Sequence, residues 1–133
     1  MSPEAGEQPV EHVAAWRRFR RPVLERPAGV EPGMLVVWSF YSALHLVQAY
    51  LVLKGERFAA SSHGQRRAAL RSAPELRPLR ASYALLQDAS EQVRYEPAFV
   101  ATEQTRDSAL DALRRVESVL RGPLERALGP LEP

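Results

Sequence analysis

Apolar positions along this chain recur at three- and four-residue intervals and never alternate with period two, which predicts helices and no sheet. Val10, Val13, Ala14 and Trp16 mark one short amphipathic helix over 10–19, closed by the basic cluster Arg17, Arg18, Arg20 and Arg21 and then by Pro22. A Pro- and Gly-rich connection follows, from Arg26-Pro27 to Pro32-Gly33. The next helix runs from about Met34 to Lys54 and stops at Gly55, a residue that accepts left-handed geometry. It is apolar almost all round, as a helix sandwiched by others must be. Ser62 and Gln65 have capping-box spacing and open a short helix over 63–72, ending before Pro74. A fourth helix, 78–95, carries Leu79, Tyr83, Leu86 and Val93, with Pro78 in its first turn and Pro97 as its stop. The fifth, 103–121, carries Leu110, Leu113, Val116 and Leu120 and ends at Gly122-Pro123.

The expected architecture is an all-α, single-domain bundle of four to five helices. Residues 1–9 read as a disordered leader, 10–121 as the bundle and 122–133 as a short tail in which Leu124 to Leu128 adds one turn at most. With 133 residues the chain has room for one ordinary domain. It contains no cysteine, which excludes a disulfide scaffold, thiolate zinc sites and thiol catalysis and fits a reducing cytoplasm.

Composition changes the picture in one respect. The net charge is +2, yet of 18 basic residues only Lys54 is a lysine, and neither Ile nor Asn occurs. Such a bias is imposed by a GC-rich genome on any protein, so arginine content alone says little about nucleic acid. Arginine placement says more. Residues 57–80 hold Arg57, Arg66, Arg67, Arg71, Arg77 and Arg80 against Glu75 alone, whereas 81–117 are net acidic. Guanidinium groups pair with phosphate in forked geometry, which makes this segment the candidate anion-binding face; a solvated surface inflated by codon bias is the alternative.

The uncharged run Met34 to Leu53 is long enough to cross a bilayer. Ser39, Ser42, His45, Gln48 and two tyrosines within it argue instead for a buried core helix, and no membrane contact is expected. A helix so uniformly apolar also suggests a homodimer that covers it.

On that helix Tyr41, His45 and Gln48 share one narrow arc with Trp38 beside it. His45 is expected to bond a tyrosine or a backbone group of a neighbouring helix within a structural polar network. His63 stands at the first position of the capped helix, where the helix dipole and Arg66 and Arg67 should keep its imidazole neutral. A neutral imidazole beside arginines can serve as general base, or it can simply help start the helix. Arg94 and Tyr95 offer a phosphate contact and a stacking platform, or a helix end packed under the loop. His12, His45 and His63 are the only histidines and no two are spaced to ligate from one helix, so neither metal nor cofactor is expected.

The run Phe40-Tyr41-Ser42-Ala43-Leu44-His45, continuing through Gln48-Ala49-Tyr50 to Gly55 and Ser62-His63, resembles the HEPN superfamily of small helical bundles. The segment Ser90 to Tyr95 with its Arg94-Tyr95 step is similar to the same group. The resemblance implies a helical bundle, usually dimeric, that takes RNA or a nucleotide as ligand. It also implies, for the nuclease members, a metal-independent endoribonuclease of toxin or defence type using an Arg followed closely by a His. Arg57 and His63 have that spacing and would be the catalytic pair, with Arg66, Arg67, Arg71, Arg94 and Tyr95 binding RNA. Here the pair precedes the third helix instead of opening the last one, and Phe58 follows the arginine. Two readings therefore stand open: an RNA- or nucleotide-binding module, with or without cleavage, and a non-catalytic adaptor that docks on an antitoxin or a nucleotidyltransferase.

Overall fold

The computed structural model describes residues 8–55 and 62–132. Among them are five α-helices, α1 (Pro9–Glu25), α2 (Pro32–Leu53), α3 (His63–Ser72), α4 (Arg77–Tyr95) and α5 (Glu103–Leu128), with a 3-10 turn over Pro74–Leu76 before α4 and no strand. The leader expected over 1–9 falls outside these residues for all but its last two positions, and Pro9 already belongs to α1.

The helix α2 is the centre of the bundle and packs against α1, α4 and α5. Fourteen of its residues are buried, including Leu35, Phe40, Leu46, Val47 and Leu51. Its length and hydropathy would suffice for a membrane span, but 78% of its most apolar window is covered inside the bundle. Coverage comes from the same chain, so burying α2 does not by itself require a second copy. Gly33 opens it where a Cβ would meet Val93 of α4 at 3.1 Å, and Gly55 beyond its end has φ +70°.

Two helices run further than the proline rule implies. The first continues past Phe19 to Glu25 with Pro22 inside it, and the last continues past Gly122-Pro123 to Leu128. An interior proline forfeits one hydrogen bond. Burial offsets that loss here, since Val23 lies one residue past the first proline and Leu124 one past the second, both closed off from solvent. The expected tail is thus part of the bundle. Leu131 is buried as well, its N–H donating to Glu125 Oε2 and its carbonyl accepting from Arg17 Nε at 2.6 Å.

A buried carboxylate ties these extensions together. Glu117 of α5, 5% exposed, accepts from Trp16 Nε1 at 2.8 Å and from Arg20 Nε at 2.6 Å, both on α1. Arg20 also pairs with Glu132, and the guanidinium groups of Arg20 and Arg121 lie over the Trp16 ring. At its start α5 carries a full capping box, Thr102 and Thr105 each accepting the other's backbone N–H.

If the last residues are core, Leu131→Ala should destabilise the protein by about 2 kcal/mol, near the low end for a buried leucine. Urea unfolding followed by circular dichroism reads this, and an unchanged midpoint would return residues 129–132 to the status of a tail.

Candidate functional site

The polar stripe of α2 does not form one network within itself. Each member meets a different helix. Tyr41 Oη accepts from Arg94 Nη1 of α4 at 2.9 Å. His45 Nδ1 meets His12 Nδ1 of α1 at 3.0 Å, with the two rings stacked and Phe19 stacked on His45 as well. Gln48 Oε1 accepts from Arg66 Nη1 of α3 at 3.4 Å. The partner of His45 is therefore neither a tyrosine nor a backbone group but a second imidazole, brought from α1 because that helix runs antiparallel to α2 with Trp16 opposite Ser42. The two histidines are close in space without any spacing in sequence that would announce it. Among the described residues no group of three or more His, Asp or Glu is disposed to hold a metal.

Burial and the neighbouring charges of His12, Arg18 and Arg66 lower the His45 pKa from the ordinary 6.5 to about 4. Only one proton fits between two facing Nδ1 atoms, which agrees with that direction.

Ser62 caps α3 as its sequence implies, accepting from the Gln65 backbone N–H at 3.1 Å. His63 is half-buried against Phe40, 5.6 Å between ring centres. Its pKa is lowered first by burial and then by the Arg66 charge, with Arg94 and Arg67 acting the same way and Glu91 opposing them. The direction agrees with the sequence argument, but burial leads where the helix dipole was expected to. Arg66 Nη2 donates to His63 Nδ1 at 3.3 Å. A guanidinium can only donate, so the neutral ring carries its proton on Nε2.

The arginines of 57–80 do not form one solvated face. Arg66 is 8% exposed and braces Gln48 and His63. Arg67 ties α3 to α4 through Gln87 Oε1 at 2.9 Å, Asp88 and the Ala84 carbonyl. Arg80 closes the open end of α3 by donating to the carbonyls of Leu70, Arg71 and Ala73. Arg71 is exposed at that same end, beside a 200 Å³ cavity lined by Arg67, Leu70, Arg80, Tyr83 and Ala84, two turns away from His63. Arg57 lies outside the described residues.

Arg94 sits between two aromatic rings, 5.5 Å from the centre of Tyr41 and 4.8 Å from that of Tyr95, and donates to both hydroxyls. Tyr95 itself is 70% exposed, so it is not packed under the loop. The structure thus brings His63, Arg66, Arg67 and Arg94 together where the start of α3 lies over the end of α4, and separates Arg71 from them. Glu91 of α4 belongs to this cluster and has no sequence signal of its own; the i, i+3, i+4 spacing to Arg94 and Tyr95 on one helix face is the only trace of it.

The unfolded His45 takes up its proton near pH 6.5, whereas the folded one resists until about 4, so stability present at neutral pH is lost as pH falls through that window. The melting temperature of the native chain should fall more between pH 7 and 4.5 than that of His45→Gln, and equal slopes would refute the assignment. At pH 7, His45→Ala should melt lower than His63→Ala, because the former loses a hydrogen bond and two stacked rings between α1 and α2 whereas the latter loses one tilted ring contact with Phe40.

Comparison with protein-family models, with curated protein sequences and with solved structures finds no match to this chain, so its site is defined by geometry and chemistry alone.

Proposed function

We propose that this protein is a HEPN-like module that binds RNA or a nucleotide through phosphate at the junction of α3 and α4. The observation that carries the reading is the convergence of three arginines from two helices, Arg66, Arg67 and Arg94, on the half-buried imidazole of His63. Such a cluster attracts an anion, and charge-assisted hydrogen bonds from guanidinium groups hold phosphate oxygens well. The exposed Tyr95 ring beside Arg94 supplies a surface on which a base can stack. Phosphate and base are chemistries that RNA and free nucleotides share.

Binding is favoured over cleavage by the proton on His63. A general base needs a free nitrogen lone pair at the ribose hydroxyl, and the Nδ1 lone pair already faces Arg66. The Nε2–H that remains is a donor, suited to a phosphate oxygen.

The test is fluorescence anisotropy with a labelled single-stranded RNA, alongside calorimetry with AMP. Affinity should fall linearly with salt on logarithmic axes. Arg94→Gln should weaken RNA by about tenfold, the equivalent of one charge-assisted hydrogen bond, and Arg71→Gln should change it little. Arg66 is a poor target because its removal strips Gln48 and His63 of a buried partner. If neither RNA nor AMP binds, the adaptor reading replaces this one. RNA cut in EDTA by the native chain and left intact by His63→Ala would instead establish a ribonuclease.

A further inference from the structure

The presence of Glu91 is the feature that phosphate binding leaves unexplained. A carboxylate beside an anion site repels the ligand, yet this one is half-buried and acts on His63 from within the cluster of Arg66, Arg67 and Arg94. It is also held in place. Gln87, one turn earlier on α4, donates from Nε2 to Glu91 Oε2 at 3.1 Å, and Gln87 is in turn fixed by Arg67 Nε. Among the described residues Oε1 of Glu91 receives no hydrogen bond. An ionised carboxylate only accepts, so a ligand group that satisfies it must carry a donor. A phosphate at neutral pH has few protons to offer, and a base stacked on Tyr95 offers its donors only at its edges, in the plane of that ring. The sugar hydroxyls are donors that lie between the two.

Position agrees with chemistry. Glu91, Arg94 and Tyr95 lie within one arc of about 100° on α4, and Glu91 and Tyr95 are one turn apart, on the order of 6 Å along the axis. A ribose spans a similar distance between its phosphate and its base. Along one helix face the protein thus offers a hydroxyl acceptor, a phosphate donor and a stacking ring.

We infer that Glu91 is a specificity-determining residue that accepts a hydrogen bond from the ribose 2′-hydroxyl and selects ribonucleotides over deoxyribonucleotides. The inference rests on the nucleotide-binding reading above and adds to it the sugar. It assigns no chemical step to Glu91. The carboxylate discriminates because a deoxyribose leaves it facing the ligand without a donor, while its charge still opposes the phosphate.

Three fluorescein-labelled adenosine hexamers with ribose, deoxyribose and 2′-O-methylribose serve as probes for the native chain and for Glu91→Ala, with melting curves run on both proteins. The native chain should bind the ribose hexamer at least tenfold more tightly than the other two, as one hydrogen bond to a charged group implies. The 2′-O-methyl probe keeps the oxygen and lacks the proton, so it separates donation from shape. In Glu91→Ala the three affinities should fall within about twofold of each other, and the deoxyribose hexamer should bind no more weakly than before because a repelling charge is gone. Equal binding of ribose and deoxyribose hexamers by the native chain overturns the inference and leaves the nucleotide-binding reading standing. A ribose preference that survives in a folded Glu91→Ala protein overturns it too. Failure of all three hexamers to bind overturns it as well, and failure of AMP besides removes the nucleotide-binding reading.

Discussion

A buried helix with a polar stripe can be enclosed only if each polar group on it finds a partner, and that requirement shapes this bundle. The apolar surface of α2 draws α1, α4 and α5 around it without direction, since burial of hydrocarbon is indifferent to rotation and sliding. Direction comes from the stripe. Arg94 must reach Tyr41, His12 must reach His45 and Arg66 must reach Gln48, and together these contacts fix where α4, α1 and α3 stand along α2. Ser42 adds a fourth such constraint by donating to the Trp16 carbonyl.

Where α1 meets α5 the same logic holds, with a carboxylate at the centre. Glu117 is buried, and Trp16 and Arg20 meet its carboxylate from α1. Because Arg20 and Arg121 also engage Glu132, and Arg17 holds the Leu131 carbonyl, the end of the chain is drawn over this node. Both interior prolines lie in helices that pass beside it. Their lost hydrogen bonds are local, whereas the contacts of α1 and α5 with this node are shared across the bundle.

The candidate site follows from where α3 comes to rest. Few contacts join α3 to α2, so its position depends on the polar bracing of Arg66, Arg67 and Arg80. Two of these guanidinium groups, those of Arg66 and Arg67, also create the positive potential at its start. Structural and ligand-binding roles are not alternatives for such arginines: one set of N–H groups is satisfied internally, and the charge remains to act on whatever approaches His63.

The sequence by itself determined the all-α class, the approximate extent of α2, α3 and α4, and the Ser62 cap, because periodicity, caps and breakers act through neighbouring residues. It also singled out Tyr41, His45, Gln48, His63, Arg94 and Tyr95 as chemically significant. The two helix ends beyond Pro22 and Pro123 were not legible, since the burial of Val23, Leu124 and Leu131 that outweighs each proline depends on residues about a hundred positions away. Nor could the chain reveal that His45 meets His12 while Arg66 meets Gln48. Only the tertiary structure decided which arginines brace the fold and which stand exposed, and only it brought Glu91 to His63. The physical reason is the same throughout: pattern along a helix reports which face is turned inward, but hydrogen bonds between helices depend on register, and register is set when the whole bundle closes.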